Sequence, residues 1–508
     1  MNNLNFLVDV LKESPVFKTL EKNVKPGRTV CASGLSTINK SNIIYALCRL
    51  KGVTAFCLAS DEKEAQTLCN DLSCMGLRAY VYPVRDFNFL DFQSRSHEYE
   101  HARLKVLLKL LNHECDVAIA CVDAAAQLTV PRNVLEQSVI EFEEGKELSL
   151  EKATKALTLL GYERFDAVEG SGQFSLRGGI LDFFMPDSDY PVRCEFWGDE
   201  ITDLSYFDIE TQRRFKKADK ITLSPSTEIV IEDRAALADK IEHKAKLLRS
   251  KNSAKAKEKL FSEAELIRSG AMIANADKFI NQIYDKPESL FDYLDRNTLV
   301  FASEFTAIQE RGKSMDFISN ETLMQGFEDG TLCRGFDRFA LTFNECTEFL
   351  QSHGTIVLEN FVHGSMPIKL SEIISFSTKQ ISAWGGSYKQ LKEDVDGLFT
   401  PESKGVIFAG TERAAKNLCD TFNADGINAV YSEGADKISK GELLVMQGAL
   451  SAGFEYPSQK FFAITYSQVS YRPEKSKKKK KKTGQEIYSL SELAPGDYVV
   501  HNVPGIGG

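Results

Sequence analysis

The stretch Arg28-Thr-Val-Cys-Ala-Ser-Gly-Leu-Ser-Thr-Ile-Asn-Lys-Ser41 sets the fold class. A short apolar run, Arg28–Ala32, is followed by a helical pattern. The same order recurs at Thr54–Ala59 and at Val117–Val122. Strands that alternate with helices predict a parallel sheet. Between these runs, Ala102–Leu111 puts Leu104, Leu107, Leu108 and Leu111 at helical spacing, with basic residues expected on the other face.

The loop after the first strand has the position of a phosphate-binding loop. Such a loop needs G-x-x-x-x-G-K-[ST], because backbone amides cradle the phosphates and the lysine reaches the outer ones. Here Gly34-Leu-Ser-Thr-Ile-Asn39-Lys40-Ser41 keeps Gly34, Lys40 and Ser41 but puts Asn39 where the second glycine belongs. No clear carboxylate pair for a metal–nucleotide complex stands out behind it. The expectation is a degenerate phosphate loop kept as scaffold; the alternative is an ATP site built on Lys40 and Ser41. A second motif, His97-Glu98-Tyr99-Glu100-His101, fits H-E-x-x-H, which on a helix can bind zinc with the glutamate as base. It lacks an obvious third ligand and heads an amphipathic helix, where a solvated polar first turn is expected. No catalytic residue and no metal ligand is assigned.

Beyond residue 148 the pattern changes. Ser149–Leu160 reads as a capped helix ended by Gly161-Tyr162. Then come Gly172–Arg177, Gly179–Phe184, Pro191–Trp197 and Glu200–Asp208, short alternating strands, with Gly198-Asp199 as a hairpin turn. Ser175 and Arg177 alternate with Phe174 and Leu176. Val192, Cys194 and Phe196 point inward, leaving Arg193, Glu195 and Trp197 outward. Arginine and tryptophan are enriched in interaction hot spots, so this face is either a binding surface or an ordinary solvated one. Residues 229–300 read as charged helices and 300–378 as short strands and helices. A further α/β unit follows, with strands at Val406–Ala409, Ala429–Tyr431, Leu443–Met446 and Phe461–Thr465 and a helix at Arg413–Asn423.

Seven lysines crowd residues 475–482, a run that repels itself and predicts a solvated linker. After it, Gly496-Asp-Tyr-Val-Val-His501 looks like the start of a β domain, too short to stand alone. The 508 residues are 43% apolar and 26% charged, which excludes collagen, coiled coil and wholesale disorder. The formal net charge of −10 excludes a wholly basic nucleic-acid coat but not a local basic patch. No stretch is long and apolar enough for a membrane span, and Met1–Phe6 does not read as a secretory signal. Eleven scattered cysteines without a C-x-x-C pair predict reduced thiols.

The strand region carries a resemblance. Gly172-Gln-Phe-Ser-Leu-Arg-Gly-Gly-Ile-Leu-Asp-Phe-Phe184, Pro191-Val-Arg-Cys-Glu-Phe-Trp-Gly-Asp-Glu-Ile201 and Phe207-Asp-Ile-Glu-Thr-Gln-Arg213 resemble the domain shared by the excinuclease B subunit and bacterial transcription-repair coupling factors. Tyr82-Pro-Val-Arg-Asp86, Gly453-Phe-Glu-Tyr-Pro457 with the lysine-rich linker, and Leu493-Ala-Pro-Gly-Asp-Tyr-Val-Val-His501 resemble the coupling factors in particular. The resemblance implies an α/β multidomain chain. It would comprise a degenerate domain 1a at 1–125, an excinuclease-A-binding antiparallel insert at 126–228, domain 1b at 229–378 and a small α/β domain at 379–470. A linker at 471–484 and an incomplete RNA-polymerase-interacting domain at 485–508 would follow. It implies that Arg177, Arg193 and Glu195 bind the excinuclease A subunit and that the terminal segment is an incomplete site for the RNA polymerase β subunit. It further implies a cytoplasmic protein whose translocase motor, with its ATP, magnesium and damaged double-stranded DNA, lies outside this chain. This chain is accordingly expected to need no cofactor and to hydrolyse nothing. The enzymatic alternatives are an excinuclease-B-like nucleotide-binding repair protein and the zinc hydrolase.

Overall fold

In the computed structural model, the described residues are 4–85, 97–138, 140–248, 253–270, 276–361, 366–381 and 388–466, with the short segments 499–500 and 506–507. The strands of the first part are β1 Val30–Ser33, β2 Ala55–Ala59, β3 Ala79–Tyr82 and β4 Val117–Cys121. A two-strand pair and an antiparallel sheet follow: β5 Ile140–Glu143, β6 Glu163–Arg164, β7 Gln173–Arg177, β8 Ile180–Phe183, β9 Val192–Trp197, β10 Glu200–Phe207, β11 Arg214–Lys217 and β12 Lys220–Leu223. The chain then returns to the first sheet with β13 Leu299–Ser303, β14 Thr355–Leu358 and β15 Glu372–Ser375. The last unit holds β16 Lys379–Ile381, β17 Lys404–Phe408, β18 Ala429–Ser432, β19 Glu442–Met446, β20 Gly453–Tyr456 and β21 Phe461–Thr465.

The first sheet has seven parallel strands in the order β15-β1-β14-β13-β2-β4-β3. Strands β1, β2, β4 and β14 are buried along their whole length, as strands of a sheet covered on both faces must be. The helix Thr37–Lys51 fills the space between this sheet and the last unit, which is why residues 38–48 are all buried. The last unit is a six-strand sheet, β16-β20-β21-β17-β19-β18, parallel except where β20 pairs with β16 and β21. Its Phe454, Tyr456 and Phe461 share one core with Phe6, Ile38 and Ile44.

The antiparallel unit has the order β11-β10-β9-β8-β7-β6, with only β6–β7 parallel. One face, with Phe174, Leu181, Phe183, Val192, Cys194 and Leu204, buries itself against the helix Leu150–Leu159, whose N-cap Ser149 accepts a hydrogen bond from the Lys152 amide. Gly198 has φ +62°, the left-handed region, at the first position of the two-residue turn between Trp197 and Glu200.

Two expectations need correction. The region 300–378 contains a 25-residue helix, Phe305–Asp329, rather than short helices only. Within it Gly312 is a contact point, since a Cβ there would overlap the Phe343 ring. On the helix Glu98–Leu111, Arg103 does not lie on a solvated basic face: it is fully buried, for a reason given below. The lysine-rich linker and most of the expected terminal β domain lie outside the described residues; within the latter, Val499–Val500 pairs antiparallel with Ile506–Gly507.

Candidate functional site

Three polar clusters contain the residues singled out from the sequence. The first is the loop after β1. Its Gly34 and Leu35 amides, which in a phosphate loop would face the ligand, donate to the carbonyls of Asn360 (3.1 Å) and Glu359 (3.1 Å). Gly34 sits at φ +78° with the Phe376 carbonyl so close that a Cβ would overlap it. Lys40 is 2% exposed, and its ammonium donates to Ser303 Oγ (2.9 Å), Glu64 Oε1 (3.3 Å) and Glu304 Oε1 (2.5 Å). Asn39 accepts from Ser36 Oγ at 2.7 Å. Ser41 Oγ donates to the buried Asp71 at 3.3 Å. The donors a phosphate would require are therefore engaged by the chain's own oxygens.

The electrostatics agree with that arrangement. Burial alone would push the Glu64 carboxyl up, but the Lys40 charge and hydrogen bonds from Ser303 and Ser60 hold it below its usual range. Glu359 is less supported. Burial, with the Glu304 charge adding to it, pushes its pKa up to about 7, although the Phe305 amide and Lys40 pull the other way. Glu304 and Glu359 were missed in the sequence. The available signal was an acid directly after each apolar run, Leu299–Ser303 and Thr355–Leu358, where a parallel sheet presents its C-terminal edge.

The second cluster explains the H-E-x-x-H motif. Its helical turn is solvated at His97 and Glu98, as expected, but Glu100 and His101 turn inward and clamp the segment that leaves the antiparallel unit. Glu100 Oε1 accepts from Thr227 Oγ1 (2.8 Å) and the Glu228 amide (2.7 Å), and His101 Nε2 lies 3.1 Å from Ser226 Oγ. His97 Nδ1 is 3.0 Å from Glu100 Oε2, and the two imidazoles stack with centroids 5.9 Å apart. Against the penalty of burial, the hydrogen bond with His97 and then the Arg85 and His97 charges hold Glu100 down at about 2. Burial lowers His101 to about 4. One turn on, Arg103 pairs with the equally buried Glu228 (Nε to Oε1, 2.6 Å) and lies over the Tyr82 ring. That pairing makes burial of a guanidinium tolerable. Among the described residues no group of three or more His, Cys, Asp or Glu side chains is placed to hold a metal ion.

The third cluster is the outer face of the antiparallel sheet. Register sets Ser175, Asp182, Arg193 and Ser205 in one row across β7–β10, and Arg177, Ile180, Glu195 and Asp203 in the next. Asp182 is 1% exposed and holds two arginines at once. Arg193 clasps it with Nε (2.7 Å) and Nη2 (2.8 Å), and Arg177 adds Nη2 (2.8 Å). That hydrogen bonding raises the Arg193 pKa above its ordinary value. Arg193 also stacks over Phe207 and bonds Gln212, so it is largely covered. Arg177 keeps half of its side chain in solvent. One carboxylate against two guanidiniums leaves the Asp182 cluster one positive charge over, and Arg177 presents it. Glu195 goes elsewhere: it pairs with Arg214, which also holds Asp203 at 2.9 Å. Beyond Glu195, Trp197 is 82% exposed and rims a shallow pocket of about 400 Å³ lined by Gly179, Ile180, Glu195, Phe196 and Thr202. Asp182 was also missed, although its alternation with Leu181 and Phe183 places it on the arginine face.

Comparison with known proteins matches residues 140–229, the segment that contains this face, to the UvrB interaction domain. The transcription-repair-coupling factor of Bacillus subtilis is 28% identical over 98% of this chain and 43% of its own length. Those of Staphylococcus epidermidis and Staphylococcus aureus are 26% and 22% identical over 84% and 99% of the chain. The chain spans less than half the length of these relatives. The resemblance carried by the strand motifs therefore stands: along its length the chain is similar to transcription-repair-coupling factors.

Proposed function

We propose that this chain is the recruiting arm of a transcription-repair coupling factor, and that the Asp182-centred face docks the excinuclease A subunit. The observation that carries the reading is a half-exposed Arg177, held by a buried carboxylate, on the same sheet face as an 82% exposed Trp197. A large exposed aromatic on the same face as a preorganised guanidinium is the residue chemistry of a binding hot spot. In this reading Arg177 and Trp197 touch the partner. Arg193 and Asp182 position Arg177, and Glu195 with Arg214 forms the polar rim.

The rest of the proposal concerns the whole protein. It is a cytoplasmic, ATP-driven DNA translocase that displaces stalled RNA polymerase and brings nucleotide excision repair to damaged DNA. The terminal segment 485–508 contributes to the contact with the polymerase β subunit. ATP and magnesium belong to the motor and not to Lys40, so a fluorescent ATP analogue titrated into this chain should give no saturable signal.

The experiment is equilibrium binding of the chain to the excinuclease A subunit. Arg177→Glu should weaken binding by about 2 kcal/mol, about 30-fold, if Arg177 is a hot spot. Unchanged affinity would remove the proposed face.

A further inference from the structure

Two arginines share one oxygen of Asp182: Arg193 Nη2 and Arg177 Nη2 each donate to Oδ2 at 2.8 Å. Register favours Arg193, which lies directly opposite Asp182, whereas Arg177 is paired with Ile180. A long side chain can still swing away from an acid it faces. What holds Arg193 in place is the turn that follows β10. Asp208 Oδ1 accepts from the Thr211 amide and hydroxyl, both at 2.8 Å, and the Asp208 amide donates to the Arg213 carbonyl at 3.0 Å. Inside this turn Gln212 has φ +57°, a left-handed conformation that a residue with a Cβ adopts at a cost. Both of its oxygens face Arg193. Gln212 Oε1 accepts from Nη2 (3.0 Å) and the Gln212 carbonyl from Nη1 (3.2 Å). Gln212 Nε2 donates to the Ile209 carbonyl at 2.9 Å, which fixes the orientation of the amide. With Nε on Asp182 and the guanidinium plane over Phe207, all three nitrogens of Arg193 are held. Among the described residues the Arg177 guanidinium donates to Asp182 alone.

We propose that Gln212 is a positioning residue for docking of the excinuclease A subunit: it holds Arg193 on Asp182 from behind, so that Arg177 is the guanidinium offered to the partner. The inference rests on the recruiting-face reading above. Gln212 acts without touching the partner. When its side chain is removed, Arg193 keeps one bond to the turn, through the backbone carbonyl, and is free to rotate off Phe207. Arg177 and Arg193 then compete for one carboxylate, and the surplus cation is offered in several arrangements instead of one. A partner that fits one arrangement binds more weakly, by the fraction of chains that hold it.

The test is equilibrium binding of the full chain to the excinuclease A subunit, with thermal unfolding measured alongside. Gln212→Gly suits it, because glycine adopts a positive φ freely. The turn and its carbonyl bond to Arg193 stay, and only the side-chain acceptor goes. The melting temperature should not fall, since relief of the left-handed strain offsets the lost bonds. Affinity should drop about fivefold. In an Arg177→Ala background the same substitution should cause no further loss, because its effect passes through Arg177. Parent affinity in Gln212→Gly, or the same loss repeated on top of Arg177→Ala, would overturn the proposal. So would a loss of affinity that comes with a lower melting temperature, since the turn would then be only structural. The two readings separate cleanly. If Arg177→Glu weakens binding and Gln212→Gly does not, the recruiting face stands and the positioning role falls. If Arg177→Glu binds as the parent does, both fall.

Discussion

The loop around Lys40 and the face around Asp182 are built from the same parts, a few cations and carboxylates at strand ends and on strands, yet they reach opposite outcomes. At Lys40 one ammonium meets two carboxylates, with a third nearby, and the donors around it turn inward. At Asp182 one carboxylate meets two guanidiniums, and the surplus cation is left in solvent. A charge set that is closed on itself holds helices and strands together. A set left one cation over, on the same face as an exposed tryptophan, leaves that cation free to meet a partner, as proposed above. The difference lies less in residue type than in stoichiometry and burial, and in the proposed reading it separates a retained scaffold from a binding surface.

The largest expected effect breaks the closed set. Lys40→Ala leaves Glu64 and Glu304 without their cation and should destabilise the chain by about 3–5 kcal/mol. Denaturant unfolding reads this directly; a loss below about 1 kcal/mol would show that the cluster does not hold the first sheet to its helix. Arg177→Ala, from the open set, should change stability by no more than about 0.5 kcal/mol, because its side chain is half in solvent. The same pair of variants should behave in reverse toward the excinuclease A subunit.

Within the open set, Asp182 and Trp197 divide stability from binding. Asp182→Ala removes the buried acceptor of two arginines and should reduce stability by about 2–3 kcal/mol, along with affinity. Trp197→Ala should weaken binding by about 2 kcal/mol and leave the melting temperature unchanged, since the ring is 82% exposed. If Trp197→Ala instead lowers the melting temperature, the ring is covered in solution and the face is not open.

Much of this architecture is legible in the sequence, and its limits have physical causes. Buried parallel strands announce themselves as apolar runs such as Val117–Cys121, and β7–β10 by strict alternation. Arg103 was misread because periodicity reports which face a residue occupies, not whether a distant acid waits there. Its partner Glu228 is 125 positions away. The same distance hid the clamp made by Glu100 and His101, so the H-E-x-x-H stretch read as a solvated helix start rather than as a fastening. On the face, Arg177 and Trp197 could be selected by residue type alone. That Arg193 is largely covered while Arg177 is presented depends on Phe207 and Gln212, which the alternation of β9 cannot supply.

The smallest effect concerns the seam between the first sheet and the last unit, where a second closed set carries its own pH signature. Asp71 is buried and accepts from the Ser451 amide (2.7 Å), Ser451 Oγ (2.7 Å) and Ser41 Oγ (3.3 Å). Burial outweighs these bonds and pushes its pKa up to about 6, from 3.8. A carboxyl whose folded value is raised binds its proton more tightly when folded. Its contribution is complete below the unfolded value and is lost as pH rises through the folded one. This site should therefore weaken the chain by about 1 kcal/mol between about pH 5 and pH 7, the reverse of the usual behaviour of an ion-paired carboxylate. Asp71→Asn removes the titration, so the difference in unfolding free energy between variant and parent should move in favour of the variant over that interval. A difference that stays flat with pH would mean the carboxylate is as comfortable in the seam as in water, and that the three donors from Ser41 and Ser451 fully offset its burial.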